Sequence, residues 1–520
     1  MNNETALDAS LTLIKALMAT HGCDIIETHI SWVLLTGQYA YKIKKPVNFG
    51  FLDFSTLEKR RFCCDEELRL NQRFAAELYL EVVPISGTPA HPQLAGTGSA
   101  IEYAVKMRRF PSGQLLRSAA ERRQLHSDEI DQLAELIADF HQTVERTDEQ
   151  SAYGDSANIK HWFVENFGHI EPLLSDDGQI QQLQAIEQWG DNEWYKQAEL
   201  MALRKCQGHV RECHGDLHLG NMTLLNGKVT LFDCIEFNPL LRWIDVISEM
   251  AFLFIDLLYF GYGRYAYRLL NRYLHITGDY QGLALLRYYL VYRALVRAKV
   301  ALLRGVQQAD DPVLNQQARG DYATFAGLAE RFTRRRQTAL IITHGYSGSG
   351  KSTWAAQLAE AIGAFQIRSD IERKRLFGYQ ANAQSGSGID DGLYSEAAGL
   401  KTYQYLRELA ETVLNAGFPV IIDATFLKSG QREPFRQLAA DCGVPFHIIS
   451  FQASDQELCR RIGQRQNDAS EATVAVLQHQ QQTAQALSGK EQSAAIDVNT
   501  EHGCALEKIL GHFAYLQSWD

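Results

Sequence analysis

The run LDASLTLIKALMA near the start of the chain places apolar residues three and four apart and predicts an amphipathic helix. SWVLLTGQYAYKIKKPV, from Ser31, alternates instead and predicts paired strands. After EYAVKMRRFPSG the texture turns to long helical patterns such as SDEIDQLAELIADFHQTVE, interrupted by strand-like pieces around HGDLHLGN and KVTLFD. The polar stretch 305–320 and the arginine triplet 334–336 precede a new strand, TALIITH, and place a domain boundary near residue 335. Beyond it TALIITH, AFQIRS, FPVIID and PFHIISF alternate with helical patterns, the signature of a parallel sheet with helices on both faces. The expected architecture is α/β and α+β in two domains, 1–335 (an N-lobe over 1–107, a helical C-lobe over 113–335) and 336–520.

Length supports that division, since 520 residues exceed what one hydrophobic core serves. An apolar fraction of 46% and only 11 prolines exclude a mainly disordered chain. The most apolar run, AFLFIDLLYF, is short and contains Asp256, so it reads as a buried helix and not a membrane span. MNNETALDAS lacks the features of a signal peptide, and nine cysteines without a CxxC pair suit reduced thiols, so a soluble cytoplasmic protein is expected. A net charge of −11 argues against a protein built mainly to coat nucleic acid.

Residues 345–352 read GYSGSGKS, a full G-x-x-x-x-G-K-[ST] motif between the strand TALIITH and the helical TWAAQLAEAIG. Backbone N–H groups through Gly345, Ser347, Gly348, Ser349, Gly350 and on to Thr353 can wrap the phosphates of ATP at a helix N-terminus. Lys351 is expected on the β- and γ-phosphates and Ser352 on Mg²⁺. FPVIIDATF ends in Asp423 followed by Ala424, with no glutamate to polarise water, which favours transfer to an acceptor over hydrolysis. In RSDIERKRL, Asp370 falls at the carboxyl edge of the sheet, where it can take a proton from an attacking hydroxyl while Arg373 holds the acceptor. The same residues fit a capping box of Ser369 with Glu372, with Asp370 serving only the helix dipole. Arg461 and Arg465 stand one helical turn apart and suit either a lid over transferring phosphates or a solvated face. Together, GYSGSGKS, RSDIERKR, VIIDATF and RxxxRxxDASEA resemble the zeta-toxin-like and polynucleotide-kinase-like P-loop kinases over residues 338–500. The resemblance implies Asp370 as general base, Arg373 on the acceptor, Asp423 near Mg²⁺ and Arg461 or Arg465 on the lid.

HGDLHLGN holds two histidines four apart, but it lies in a loop without the further ligands a zinc site needs. A kinase catalytic loop fits better: Asp216 followed by Asn221 has the spacing of a base and a Mg²⁺-binding amide, and Asp233 follows the strand KVTLF as a second metal carboxylate. That chemistry also needs a strand lysine and a helix glutamate. QYAYKIKK supplies Lys42, with Lys44 as the other choice on the same strand face, and RRFCCDEELRLNQRF supplies Glu67, with Glu66 as the other choice. EYAVKMRRFP would lead into a hinge whose backbone near Met107 meets adenine. In this order the region 30–300 resembles the aminoglycoside phosphotransferase and choline kinase branch of the protein-kinase-like fold, which is bilobal. The resemblance implies Asp216 as base, Asn221 and Asp233 as metal ligands, and His214 bonded to backbone or to a carboxylate such as Asp245. His218 has no assigned role. Asp233 is followed by Cys-Ile-Glu, and no APE segment follows, which disfavours protein substrates. Residues 259–304 carry eight Arg or Lys against one Asp, a face for an anionic or aromatic acceptor or for packing.

Two phosphate-transfer constellations in one chain predict an ATP- and Mg²⁺-dependent phosphotransferase, acting on hydroxyls of small-molecule acceptors. The alternative is a nucleotide-binding regulatory ATPase, or a toxin-like or nucleic-acid-end kinase with a kinase-like partner domain. The acceptors and the oligomeric state are left open by the residues.

Overall fold

The alternation in SWVLLTGQYAYKIKK resolves into strands β2 and β3, preceded by β1: Asp24–Glu27, Ser31–Thr36 and Tyr39–Lys44. With β4 (Tyr79–Thr88), β5 (His91–Leu94) and β6 (Ala100–Arg108) they form a six-stranded antiparallel sheet of order β1-β2-β3-β6-β4-β5 in the computed structural model. The structure describes residues 3–50, 52–380, 383, 392–464, 470–501 and 506–516. By internal contacts the chain divides into two compact units. One comprises Met1–Glu129, Thr143–His161 and Glu199–Leu253; the other comprises Ile130–Gln142, Trp162–Ala198 and Phe254–Asp520.

In the first unit one sheet face packs against the helix Asn3–His21, where Leu13, Ile14 and Leu17 meet Trp32, Leu34 and Ile43. The period of two along β3 turns Lys42 and Lys44 to the opposite face. There the helix Leu57–Ala75, capped by Thr56, contributes Cys64 to a core with Tyr79 and Val105. Two short pairs complete the unit: β7 (Val210–Glu212) with β10 (Trp243–Asp245), and the hairpin β8 (Met222–Leu225) with β9 (Lys228–Leu231). The hairpin turns on Asn226 and Gly227, both at positive φ, the two-residue turn whose twist matches antiparallel strands. Asn221 enters the hairpin, and Phe232 N donates to Asn221 O at 3.0 Å where it leaves, so this turn sets where Asp233 stands.

In the second unit β11 (Leu340–His344), β12 (Phe365–Arg368), β13 (Val420–Asp423), β14 (Phe446–Gln452) and β15 (Ala495–Asn499) form an all-parallel sheet of order β12-β13-β11-β14-β15. Ile341, Ile421 and Ile449 pack with Leu358 and Ile362 of the helix Lys351–Ile362, so the central strands read as continuous apolar runs. Helices Gly263–Thr277, Leu283–Gln307 and Pro312–Thr333 belong to this same unit. The polar stretch 305–320, which precedes the expected boundary near residue 335, is mostly helix. Its helical start follows from Asp311, which accepts from Val313 N and Leu314 N, and from Pro312 in the first turn. No helix among the described residues is long and apolar enough to cross a membrane.

Within the first unit, Arg204 and Asp245 form a buried two-point ion pair at 2.7 and 2.9 Å, which ties the end of the helix Asp177–Cys206 to β10. Arg204→Leu leaves the carboxylate buried without its partner and should cost about 3–5 kcal/mol of stability in urea unfolding. A loss within about 0.5 kcal/mol, the range of ordinary surface changes, would contradict this.

Candidate functional site

On the inner face of the first unit, Lys42 Nζ bonds Glu67 Oε1 at 2.8 Å and Asp233 Oδ1 at 2.5 Å. Lys44 Nζ bonds the other oxygen of Glu67 and also Glu236. Of the candidate pairs, then, both lysines face Glu67, whereas Glu66 turns to Arg69 and Arg242. Burial opposes charge on Lys42, but Asp233, Glu67 and Glu236 outweigh it and hold Lys42 well above the usual lysine range. Burial likewise opposes charge on Glu67, and the two ammoniums outweigh it, lowering its pKa to about 2. Burial, with Lys44 working against it, raises Glu236. Three carboxylates therefore face two ammoniums. Asp233 alone among the three is accessible, with 41% of its side chain exposed against 0% and 3% for Glu67 and Glu236, so an added cation would meet it first. Asp233 adopts the left-handed conformation at φ 66°, uncommon for a residue with a side chain, and Tyr79 Oη accepts its N–H at 3.2 Å.

The HGDLHLGN loop meets this cluster. His214 is fully buried, and its Nε2 bonds Phe232 O at 2.9 Å while its Nδ1 accepts from Asp216 N at 3.3 Å. Burial lowers its pKa, so the ring is a neutral strut between loop and hairpin. Of the two partners expected for it, backbone is the one it finds, because Asp245 is taken by Arg204. Gly215 N donates to Glu249 Oε1 at 2.7 Å. Asn221 Nδ2 donates to Asp216 O at 2.9 Å and to Asp216 Oδ2 at 3.1 Å, which fixes the half-exposed Asp216 carboxylate. His218 caps the short turn Leu219–Asn221 by accepting from Gly220 N, and its Nε2 lies 3.4 Å from Asp216 Oδ2. Lys42, Glu67 and Asp233 thus form one cluster and Asp216 with Asn221 another, linked by the backbone bond from Phe232 N to Asn221 O just before Asp233. Met107 lies in β6 opposite Ala40 and Tyr79, but the amides of Arg108 and Arg109 are engaged by Leu78 O and Gln38 O and cannot also meet adenine.

In the second unit the loop between β11 and the helix Lys351–Ile362 turns at Gly345, Gly348 and Gly350, with φ of 138°, 87° and 82°. A Cβ on Gly345 would lie 2.4 Å from Phe451 O, so the close backbone approach requires glycine. Lys351 Nζ donates to Tyr346 O at 2.7 Å, folding back over the loop. Ser347 N donates to Gln480 Oε1 at 2.9 Å, and Gln480 Nε2 to Ser347 Oγ at 3.0 Å. Ser349 and Gly350 complete the turn and Thr353 lies in the first turn of the helix. Ser352 hydrogen-bonds the buried Asp423, whose pKa burial raises against Arg368 and Ser352. A serine hydroxyl beside a carboxylate is a hard oxygen pair of the kind Mg²⁺ takes.

Asp370 and Arg373 both act electrostatically on Tyr403, and Asp370 also acts on Asp423. The capping box of Ser369 with Glu372 does not form. The helix Ser369–Leu376 has Arg368 at its N-cap without a side-chain bond, and Glu372 pairs with Arg375 and Tyr280. Arg461 bonds Glu457, Thr500 and Gly348 O, bracing the phosphate loop from behind. Arg465 lies outside the described residues. Arg268 pairs with Asp131 and Glu360, and Arg272 with Glu135, so this arginine face packs within its unit. Glu236, Gln366 and Gln480 join these sites from outside any motif; only Glu236 carried a signal, as the last residue of the Cys-Ile-Glu that departs from the kinase pattern.

The phosphotransferase enzyme family (APH) matches residues 63–286 and an AAA domain (AAA_33) matches 340–487. Uncharacterized proteins of Mycobacterium tuberculosis and Mycobacterium bovis are 31% identical over 457 residues, covering 87% of this chain and 88% of theirs. Among solved structures, an amicoumacin kinase is 14% identical over 64% of this chain and 96% of its own, with TM-score 0.40. A gluconokinase from Sinorhizobium meliloti is 22% identical over 35% and 93%, with TM-score 0.25.

Glu67 is ordinarily ionised only above pH 4.5, and its lowered pKa means its stabilisation is complete above that value and fades as pH falls toward about 2. Glu67→Gln should therefore be less stable than the wild type at neutral pH, with the gap narrowing below pH 4.5 in urea unfolding. A gap independent of pH would contradict the ion-pair account.

Proposed function

The chain belongs to the family of its mycobacterial relatives, with an APH phosphotransferase domain followed by an AAA domain, and we propose that both domains transfer phosphate from Mg–ATP to hydroxyl groups of small-molecule acceptors in the cytoplasm. The observation that carries this is that each unit brings a lysine toward a carboxylate: Lys42 to Asp233 in the first, and Lys351 toward Asp423, which Ser352 also bonds, in the second. Phosphoryl transfer asks for little more than positioning and charge neutralisation.

In the first site Asp216 accepts the proton of the attacking hydroxyl, Lys42 turns from Asp233 to the phosphates, and Glu67 keeps Lys42 in register. Asn221 and Asp233 would hold Mg²⁺, and Met107 borders the adenine. In the second site the backbone from Gly345 to Thr353 and Lys351 hold the phosphates, and Ser352 with Asp423 would hold Mg²⁺. There Asp370 is the base and Arg373 holds the acceptor. Arg461 acts on the phosphates through the loop it braces, and Arg465 extends the same basic segment. Bound Mg²⁺ supplies charge neutralisation across the β- and γ-phosphates in either site.

The alternative, a slow regulatory ATPase, draws support from Gln480, which engages a phosphate-loop amide and must yield to nucleotide. Acceptor dependence separates the two. With a metabolite extract and ATP, mass spectrometry should detect phosphorylated products that Asp216→Ala and Asp370→Ala each remove in part, by about 10²-fold or more per site. Product formation that survives both changes together, or ATP turnover that ignores acceptors, would refute the transferase reading.

A further inference from the structure

Strand β12 is the edge of the parallel sheet, and its outward backbone groups need partners. They find side chains on the helix Gly263–Thr277, which lies within the segment matched by the phosphotransferase family and yet belongs to the compact unit of the phosphate loop. Asn271 Oδ1 accepts from Gln366 N at 2.8 Å, and Asn271 Nδ2 donates to Ala364 O at 3.0 Å. The same Nδ2 bonds Tyr267 O, one turn back in its own helix, which fixes its rotamer. His275 Nε2 bonds Gln366 O at 2.9 Å. Burial, reinforced by Arg368, Arg272 and Arg375, lowers His275 to about 3, so the ring is neutral and its proton sits on Nε2, facing the carbonyl. Two helix side chains thus stand in for a neighbouring strand.

The residue they grip has a second task. Gln366 is 2% exposed, and its Nε2 donates to Asp423 Oδ2 at 3.0 Å and reaches Ser352 O at 3.3 Å. One amide therefore spans both residues of the oxygen pair. A carboxylate in a buried site can rotate unless an outer partner holds one oxygen, and metal affinity depends on such partners. We propose that Gln366 is a positioning residue for the metal site of the phosphate loop, and that Asn271 and His275 hold it there, so a helix supplied by the phosphotransferase segment orders Asp423 for Mg²⁺. This rests on the two-site reading above, and it makes residues 336–520 incomplete without the helix that precedes them.

The test uses the full-length chain carrying Asp233→Asn, which removes the metal carboxylate of the first site, and a fluorescent ATP analogue titrated with and without Mg²⁺. In this parent, Mg²⁺ should tighten binding. Gln366→Met, which keeps the strand and removes the amide, and Asn271→Ala, which frees Gln366, should each cut that Mg²⁺-dependent gain by about tenfold or more while leaving metal-free binding unchanged. Thermal unfolding confirms that each variant is folded, and Gln366→Met carries the test if Asn271→Ala is not. A gain equal to the parent's in Gln366→Met would overturn the proposal. If the parent itself gains nothing from Mg²⁺, the two-site reading falls, and this inference with it.

Discussion

A carboxylate sealed from water cannot stay ionised unless cations meet it, and in this chain that carboxylate is Glu67. Lys42 and Lys44 each take one of its oxygens, and Lys44 reaches onward to Glu236. Three separate pieces of sequence, β3, the helix Leu57–Ala75 and the segment after β9, are thereby held in a single register. Slipping β3 by one residue would turn both lysines to the wrong face and strand Glu67 without a partner. Asp233 inherits its position from this lock, because it bonds Lys42 and sits three residues before Glu236. The accessible charge of the site is thus placed by inaccessible ones.

The second unit solves a related problem with backbone. Its phosphate loop owes its shape to glycines at positive φ, to Lys351 folded onto Tyr346 O, and to Arg461 bracing Gly348 O. Fixed N–H dipoles can meet an anion without a counter-charge, so this cradle leans on backbone where the first leans on buried ion pairs, with Arg368 standing 3.8 Å from Asp423. Asp423 accepts a hydrogen bond from the neutral side-chain amide of Gln366, whose backbone N–H and carbonyl are held by Asn271 and His275 on a helix some 90 residues earlier in the chain.

Much of this was legible in the residues. GYSGSGKS carries its geometry in its glycines, and HGDLHLGN carries the spacing that joins Asp216 to Asn221. The parallel sheet follows from its apolar strands. What was not legible depends on distant pairing. Nothing in QYAYKIKK says that both lysines would share Glu67, because that depends on Glu236 arriving from almost two hundred residues away. The polar stretch 305–320 gave no sign that its Asp-Pro cap begins a helix packing through Tyr322 and Phe325. The compact unit containing the phosphate loop also takes in helices from Phe254 onward, a grouping that no composition shift near residue 335 discloses. Gln366 looked like any residue in a strand, and the contacts it makes exist only where β12 meets Asn271.

The central claim is that one chain holds two independent Mg–nucleotide sites. Calorimetric titration of the full-length chain with a non-hydrolysable ATP analogue and Mg²⁺ tests it most directly. The account predicts two nucleotides per chain, falling to one in Lys351→Ala and to one in Lys42→Ala, with none bound when both are changed. A single nucleotide per chain, removed completely by either change alone, would contradict it.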